Sequence, residues 1–569
     1  MLSFALMQQV TYRREMVPVL ALAGMSILLT VHRLWNITSS IGMLNTDSEG
    51  TAWWIWSRCI GQTNLSRANG VAYPSGFDLE TLPTFNLIDE FRILVAHMFG
   101  CSSSSIIVQL ALFPTICLVG NSLAGYFAGR ILFQNRLSGF IFGITCAFSS
   151  QSLLATRTPL ANNVLFFGLL AVAFSAKWLR DGSIFHLILA LVSQMLQVLS
   201  NVYNGFAFLL ILLTVLLAFP ASVDLSLIKR IRIASLACLA ALIGLGPLIV
   251  NQIQLLTNSS FQKIYRPFNA ELEVLPFSSL FTKDRGLYDF FGLDSWPRPE
   301  AGWISIPLLV GLIYFIFEFF RDAQRDRAIN RAVISTFGVT FLLILIIWDV
   351  PGFGYLRRLY FAVFFPLRGV SNFAKVLPLL MGLALLLMVQ VVRENHLINR
   401  KRPIQSRGVI CAFFLLTLAD NVPLSQSYWR LHDVRPFIST YGSPDMKIET
   451  GPVAEFPDFM YGPQWGLPQR FIQLAQIGDS RPRLNGRDFG QLSDGSNPLP
   501  LPVDDLTLNA LLNRGATTII LHRNLISPSE FNQSVDFLRS QNFQEHTSVR
   551  QGHDDPIYIS LDVTIFEID

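Results

Sequence analysis

Apolar runs long enough to cross a bilayer recur along this chain, and no other feature restricts its fold so severely. They lie near 16–34, 105–129, 137–155, 160–176, 184–200, 204–221, 233–252, 302–320, 332–349 and 376–392. As helices, such runs cover about 30 Å of hydrocarbon. A further candidate, Gly408–Ala419 (GVICAFFLLTLA), is short and needs its flanks or a local thinning of the bilayer to span. Only 14% of the 569 residues are charged and 51% are hydrophobic, whereas soluble domains carry about 25% charged residues. That much apolar surface calls for lipid. The net charge of +4 is too small for this length to point to nucleic acid, and none is expected as a partner. The run after Arg13 and Arg14 lacks a small-residue cleavage site and reads as a first span, not a removed signal peptide.

Basic residues orient the spans. Arg13/Arg14, Arg130/Arg136, Lys177/Arg180, Lys229/Arg230/Arg232, Arg321/Arg325/Arg327/Arg331 and Arg393/Arg400/Lys401/Arg402/Arg407 fall in alternate connections. By the positive-inside rule these face the cytoplasm, with the N-terminus inside. The connections 35–104, 253–301 and 350–375 then lie outside, and their length makes them the place to look for function. The inner loops are short and hold no phosphate-cradling Gly-rich motif, which argues against an ATP-driven pump.

From about Asn421 the composition turns polar. Strand-like runs occur at Pro452–Phe456, Thr517–Leu521 and Ile557–Ile568, and helical patterns at Asp504–Arg514 and Phe531–Gln541. The expected fold is mainly α: a helical membrane domain of about 11 spans over 1–420, then a small extracytoplasmic α/β domain over 421–569. The chain is expected in the plasma (inner) membrane. The side taken by the C-terminal domain depends on whether 408–419 crosses.

The first outer loop holds the most informative stretch, Asn45-Thr46-Asp47-Ser48-Glu49-Gly50 followed by Trp53, Trp54 and Trp56, and later by Tyr73-Pro74-Ser75-Gly76. A carboxylate held at a membrane surface can deprotonate an acceptor hydroxyl, or hold a divalent cation such as Mg or Mn against a phosphate leaving group. Thr46-x-x-Glu49 also reads as a capping box that opens an amphipathic helix with interfacial tryptophans. The two readings are compatible, because a helix N-terminus welcomes an anionic phosphate.

An acid pair after the first span, a Trp-rich helix and a Tyr-Pro-x-Gly segment resemble the C-type fold of polytopic glycosyltransferases. Gly129-Arg130 and Phe365-Pro366-Leu367-Arg368 extend the likeness, as does a soluble α/β tail. The resemblance implies sugar transfer, hexosyl or pentosyl and inverting, from a polyprenyl-phosphate donor to a glycan, lipid or protein acceptor on the non-cytoplasmic face. Carried over by position, the base or metal ligand is Asp47, with Glu49 as second acid. Glu49 stands where many members have Asp, and 253–301 shows no substrate-specific signature.

A phosphate carrier requires cations at the outer surface, where Arg binds it with charge-assisted, bidentate hydrogen bonds. Arg357, Arg358, Arg368 and Lys375 meet that need, against the inside bias of the other basic residues; pairing with anionic lipid or with Asp349 is the alternative. Arg157, Tyr203, Asn204 and Arg266 are candidate substrate contacts, although polar residues at span ends and in solvated loops are ordinary. His522 is expected at the surface, at a strand end. Cys59 and Cys101 share one polar loop and can pair if it faces an oxidising compartment. Two further function classes stay open: a transporter or flippase for lipid-linked saccharide, and a non-catalytic cell-surface assembly protein with the same fold. The former usually needs ionisable groups at mid-span, and the spans here are almost free of them.

Overall fold

The computed structural model describes residues 2–35, 40–42, 48–62, 67–68, 77–78, 87–148, 164–218, 226–257, 275–276, 348–352, 354–355, 431–433, 451–456, 476–478, 480–484, 501–523, 526–550 and 561–568. The protein is mainly helical, with a small sheet. In chain order the elements are α1 (Leu2–Trp35), β1 (Ser40–Gly42), α2 (Ser48–Cys59), β2 (Arg67–Ala68), β3 (Phe77–Asp78), α3 (Leu87–Met98), α4 (Ser103–Phe133) and α5 (Arg136–Phe148). There follow α6 (Phe166–Asp181), α7 (Ile184–Ser200), α8 (Val202–Ala218), α9 (Leu227–Thr257), β4 (Leu275–Pro276), β5 (Trp348–Asp349) and β6 (Leu431–Asp433). The C-terminal elements are β7 (Val453–Phe456), α10 (Asp505–Asn513), β8 (Thr518–His522), α11 (Pro528–Ser540), β9 (Gln544–Arg550) and β10 (Leu561–Glu567).

Each of the seven apolar runs expected before residue 253 overlaps a helix, α1 or one of α4 through α9, and the parts at 149–155, 160–163 and 219–221 lie outside the described residues. Among the described residues, one helix, Ser103–Leu132, is long and apolar enough to cross a membrane by itself; Glu15–Val31, Arg136–Phe148, Ile184–Ser200 and Val202–Leu217 are shorter apolar helices. The runs 302–320, 376–392 and 408–419 lie outside the described residues. So does 332–349 apart from Trp348-Asp349, which pair in parallel with Leu275-Pro276.

The chain divides into two compact units, one of Met1–His32, Phe113–Val250 and Tyr265–Trp429, the other of Arg33–Leu112, Asn251–Ile264 and Arg430–Asp569. In the first, small residues let helices approach. Gly125 and Gly129 of α4 face Gly143 and Gly139 of α5, and a Cβ added to Gly125 would lie 3.0 Å from the Cα of Gly143. Each helix thus presents a Gly-x-x-x-Gly step, the pattern that packs helices through van der Waals contact where lipid removes any hydrophobic drive between them. Hydroxyls add to this: Thr115 Oγ1 donates to Thr30 Oγ1 at 2.8 Å, and Ser26 Oγ reaches Ser122 Oγ at 3.3 Å, joining α1 to α4. Leu22, Leu118, Tyr126, Ile144, Ala147 and Phe148 fill the space between α1, α4 and α5.

Several of the basic residues used to orient the spans tie helix ends together. Glu15 of α1 accepts from Tyr126 Oη at 2.6 Å, pairs with Arg130 at 2.9 Å, and also bonds Arg136. Arg180 donates to the Leu132 carbonyl near the end of α4, and Arg230 to the Leu216 carbonyl near the end of α8. Carbonyls at a helix C-terminus have no partner within the helix, and a guanidinium there satisfies them and the negative end of the dipole.

In the second unit the sheet order is β7-β8-β10-β9, with β7 and β8 parallel and the other pairs antiparallel. Ala454, Phe456, Ile519, Leu521, Phe566 and Ile568 of the sheet pack on Leu508, Leu511, Phe531, Val535 and Leu538 of α10 and α11. Asp504 caps α10, accepting from Thr507 N at 2.8 Å. Ser527 caps α11 in the same way, with Pro528 in the first turn. The strands expected at 452–456, 517–521 and 557–568 and both helices are thus present, with ends shifted by a few residues. The edge strand β9 (QEHTSVR) has no apolar alternation and was not legible in the sequence.

Candidate active site

The first loop and the C-terminal sheet belong to the same unit, and their contacts hold the elements on either side of the candidate acids. Before those acids, β1 pairs antiparallel with β6, Ser40 opposite Asp433 and Gly42 opposite Leu431. After them comes α2, which starts at Ser48, so Asp47 immediately precedes the helix and Glu49 lies in its first turn. Asp47 and the side chain of Glu49 lie outside the described residues, as do Arg357, Arg358, Arg368, Lys375, Arg157 and Arg266.

Four sets of contacts hold α2. The Trp53 indole N–H donates to Gln476 Oε1 at 2.6 Å, and Gln476 in turn donates to the Arg481 carbonyl at 3.2 Å. Just past the helix, Gln62 Nε2 donates to the Ser480 carbonyl at 3.2 Å. Arg58 forks onto both carboxylate oxygens of Glu90 on α3, at 2.7 and 2.8 Å, while its guanidinium lies 5.7 Å from the centre of the Trp54 ring. Cys59 is disulfide-bonded to Cys101, fixing the end of α2 to the turn after α3. Trp53 and Trp56 are buried in protein, which corrects the expectation that the tryptophans of this helix sit at a lipid interface. An indole satisfies a buried N–H only where an acceptor waits, and here Gln476 supplies it.

Behind Gln476 the second face of the sheet is polar and buried. Arg483 Nε donates to Glu455 Oε2 at 2.9 Å, His522 Nε2 meets Glu455 Oε1 at 2.7 Å, and Arg481 reaches Thr518 Oγ1 at 3.3 Å. His522 is therefore a buried member of an ion-pair network and not the surface residue expected. In the β7–β8 register Glu455 pairs with Ile520, and His522, two residues on at the end of β8, reaches it from the same face of the sheet. On α3, Arg92 is fully buried and pairs with Asp89 at 3.2 Å. Burial pushes the Asp89 carboxyl above the usual range, and Arg92 opposes that shift.

Asn204 is buried at the start of α8, where its backbone N–H is capped by Asn201 Oδ1 at 2.9 Å and its amide reaches the Val164 carbonyl at 3.5 Å. It belongs to a group of amides around the start of α6. Asn121 Oδ1 accepts from Leu165 N at 3.0 Å, Gln197 accepts from Gly168 N and donates to Val164 O, both at 2.8 Å, and Gln194 donates to Gly205 O at 2.8 Å. These side chains satisfy backbone groups at helix ends, which in an apolar setting would otherwise carry a large desolvation cost. Tyr203 lies beside Asn204, half-buried. Among the described residues, the one cluster of possible metal ligands is Cys59, His97 and Cys101, and the disulfide removes its two sulfurs from that role.

No protein-family profile and no curated protein sequence matches this chain. Solved structures do. The arabinofuranosyltransferase AftD from Mycobacteria superposes with a TM-score of 0.54 at 13% identity, over 96% of this chain and 41% of that one. A second structure of AftD gives 0.50 over the same shares, also at 13% identity. ArnT from Cupriavidus metallidurans, bound to undecaprenyl phosphate, gives 0.48 at 11% identity over 96% of this chain and 97% of that one. The chain spans about two fifths of the length of AftD. It has the C-type glycosyltransferase fold.

Proposed function

We propose that the chain is a membrane-embedded glycosyltransferase that moves a sugar from a polyprenyl-phosphate donor to an acceptor on the non-cytoplasmic face. The observation that carries the proposal is the anchoring of the first loop. Residues 43–47, which end in Asp47, run between a strand paired to the C-terminal unit and a helix held by a disulfide, an ion pair and the Trp53–Gln476 bond. A catalytic group requires that its supports be fixed on both sides. In this reading Asp47 takes the proton of the acceptor hydroxyl. The acceptor oxygen attacks the anomeric carbon, the bond to the carrier phosphate breaks, and the configuration inverts. Arg357, Arg358, Arg368 and Lys375 neutralise the departing phosphate, Glu49 assists Asp47, and Arg157, Tyr203 and Arg266 line the sugar and acceptor paths, while the buried Asn204 holds the helix end beside Tyr203. The paired carboxylates of Asp47 and Glu49 are the hard oxygen donors that Mg or Mn takes, and such an ion would supply charge for the leaving phosphate.

Two further observations support the placement of this chemistry. A disulfide between Cys59 and Cys101 fits an oxidising compartment and so an external first loop. The C-terminal unit shares a β-ladder and side-chain bonds with that loop, so both lie on one side of the bilayer, and the chain between them crosses an even number of times. Beyond α1, the nine long apolar runs give an odd count. The short 408–419 run makes it even, favouring eleven spans, an inner N-terminus and an extracytoplasmic domain after residue 420.

The test is transfer of radiolabelled sugar from a polyprenyl-phosphate donor into membranes. Asp47→Asn should lower the rate by about 10²–10⁴-fold, the range of general acid–base catalysis, at unchanged membrane insertion. Transfer at the wild-type rate would remove the assignment. Absence of transfer in the wild type, with saccharide appearing across the membrane, would favour the flippase reading.

A further inference from the structure

Three soft ligand groups converge where α2 ends and α3 gives way to α4. Cys59 is buried at the end of α2, His97 is exposed in the last turn of α3, and Cys101 is half-buried in the turn that follows. Their sulfurs and the imidazole nitrogen lie within 4.8 Å of one another, with His97 Nδ1 3.6 Å from the Cys101 sulfur. While the disulfide is closed, neither sulfur can act as a thiolate ligand. Opened, the same three residues offer two thiolates and one imidazole, a donor set that suits zinc and not magnesium or calcium.

Contacts other than the disulfide keep the three together. Arg58, next to Cys59, forks onto Glu90 of α3, so the end of α2 stays against α3 without the S–S bond. Cys101 N bonds the Ala96 carbonyl at 2.9 Å and Gly100 N that of His97 at 3.2 Å, so the backbone alone fixes Cys101 relative to His97. A tetrahedral ion bound at about 2.0–2.3 Å holds its ligand atoms about 3.3–3.8 Å apart, so closing on one takes side-chain adjustments of about 1 Å and leaves the helices in place. We propose that the reduced form of this cluster is a zinc-class metal site, in which Cys59, His97 and Cys101 hold the ion and solvent takes the fourth position. A dithiol reductant supplies two electrons and two protons and leaves as its own disulfide, and the Cys59–Cys101 bond becomes two thiols. The ion then displaces the two thiol protons to solvent and binds the thiolates. The exposed His97 gives it a way in. Cross-linking of α2 to α3 thereby persists in both redox states, through metal when reduced and through sulfur when oxidised. The donor set differs from that of Asp47 and Glu49, whose oxygens suit a harder ion, and the site stands whether or not the chain transfers sugar.

Cobalt(II), a coloured stand-in for zinc, tests the site in the full-length protein in lipid nanodiscs. One sample is reduced with a dithiol and freed of it by anaerobic gel filtration. The other is kept oxidised and serves as the blank for the remaining cysteines, which include the free Cys117, Cys146 and Cys238. The reduced sample alone should show sulfur-to-cobalt charge transfer and the intense visible bands of a tetrahedral site, and zinc should bleach both. His97→Ala should weaken binding by at least about 10-fold, the lower end of what loss of even a supporting partner costs a metal site. Its disulfide should still close on oxidation, the check that the variant is folded. Zinc should also slow alkylation of Cys101 in the reduced wild-type protein, a readout that needs no substitution. Absence of the bands from the reduced protein would overturn the proposal, and so would equal bands in the oxidised one. Affinity unchanged by His97→Ala, or alkylation of Cys101 indifferent to zinc, would overturn it as well.

Discussion

Adding one methyl group to Gly143 should separate two helices that the fold holds in backbone contact. An alanine Cβ at this position would sit 2.6 Å from the Ser122 carbonyl oxygen of α4 and 2.9 Å from Leu22 Cδ1 of α1. The first distance is about 0.8 Å short of ordinary contact at 3.4 Å, and the atom met is backbone, which cannot rotate away. The helices must part, and a gap of about 0.5–1 Å forfeits a quarter to a half of each facing dispersion contact. Overpacking of this kind costs about 1–3 kcal/mol, set against a gain of about 1 kcal/mol from replacing glycine by alanine within a helix. Gly24 of α1 is the matched control, since nothing lies within 4 Å of its added Cβ and the substitution there brings only the helix-propensity gain. Gly143→Ala should therefore be about 1–3 kcal/mol less stable than Gly24→Ala. Unfolding of both variants in mixed micelles of increasing SDS fraction measures the difference. Equal stability of the two would refute the close packing of α4 on α5.

Removing the α10 cap by Asp504→Ala should cost about 1 kcal/mol, measured by proteolytic susceptibility of the C-terminal unit. Hydrogen bonds from Thr507 N and then Thr507 Oγ1 hold the Asp504 carboxyl below its ordinary range. The cap's charge-linked contribution is therefore complete above the unfolded carboxylate range and lost as pH falls through the folded value, so wild type and variant should converge in acid. Opening the disulfide by Cys59→Ala should destabilise the first loop by up to about 4 kcal/mol, the chain-entropy value for a loop of this length, since 42 residues separate its cysteines; unchanged protease resistance would contradict a constraining role. Arg483→Ala removes the guanidinium from the buried Arg483–Glu455 pair, and removal of one member of a buried pair costs about 3–5 kcal/mol. A variant as resistant to urea as wild type would show that the network adds little.

Much of this protein was legible from local pattern. Apolar run length placed α1 and α4 through α9, because transfer of a segment into lipid depends on its own side chains. The capping residues Asp504 and Ser527 and the apolar runs of β7, β8 and β10 are likewise local signals, and the C-terminal sheet follows from them. Where local signals are weak the sequence was silent, as with the polar edge strand β9, or misleading, as with His522, whose buried place depends on Glu455 67 positions earlier.

The sequence by itself determined that this chain has many apolar helices, which ends of those helices carry basic charge, and that two acids follow the first of them. Tertiary structure decided what holds the strand before those acids and the helix that follows them. The Trp53–Gln476 bond joins residues 423 positions apart, and β1 meets β6 across nearly the whole span region. Such pairings depend on shape and hydrogen-bond complementarity between surfaces that exist only after folding, whereas apolar periodicity reports burial and never the identity of the partner. That is why the first loop and the C-terminal sheet form one unit, a grouping that the linear order of the chain conceals.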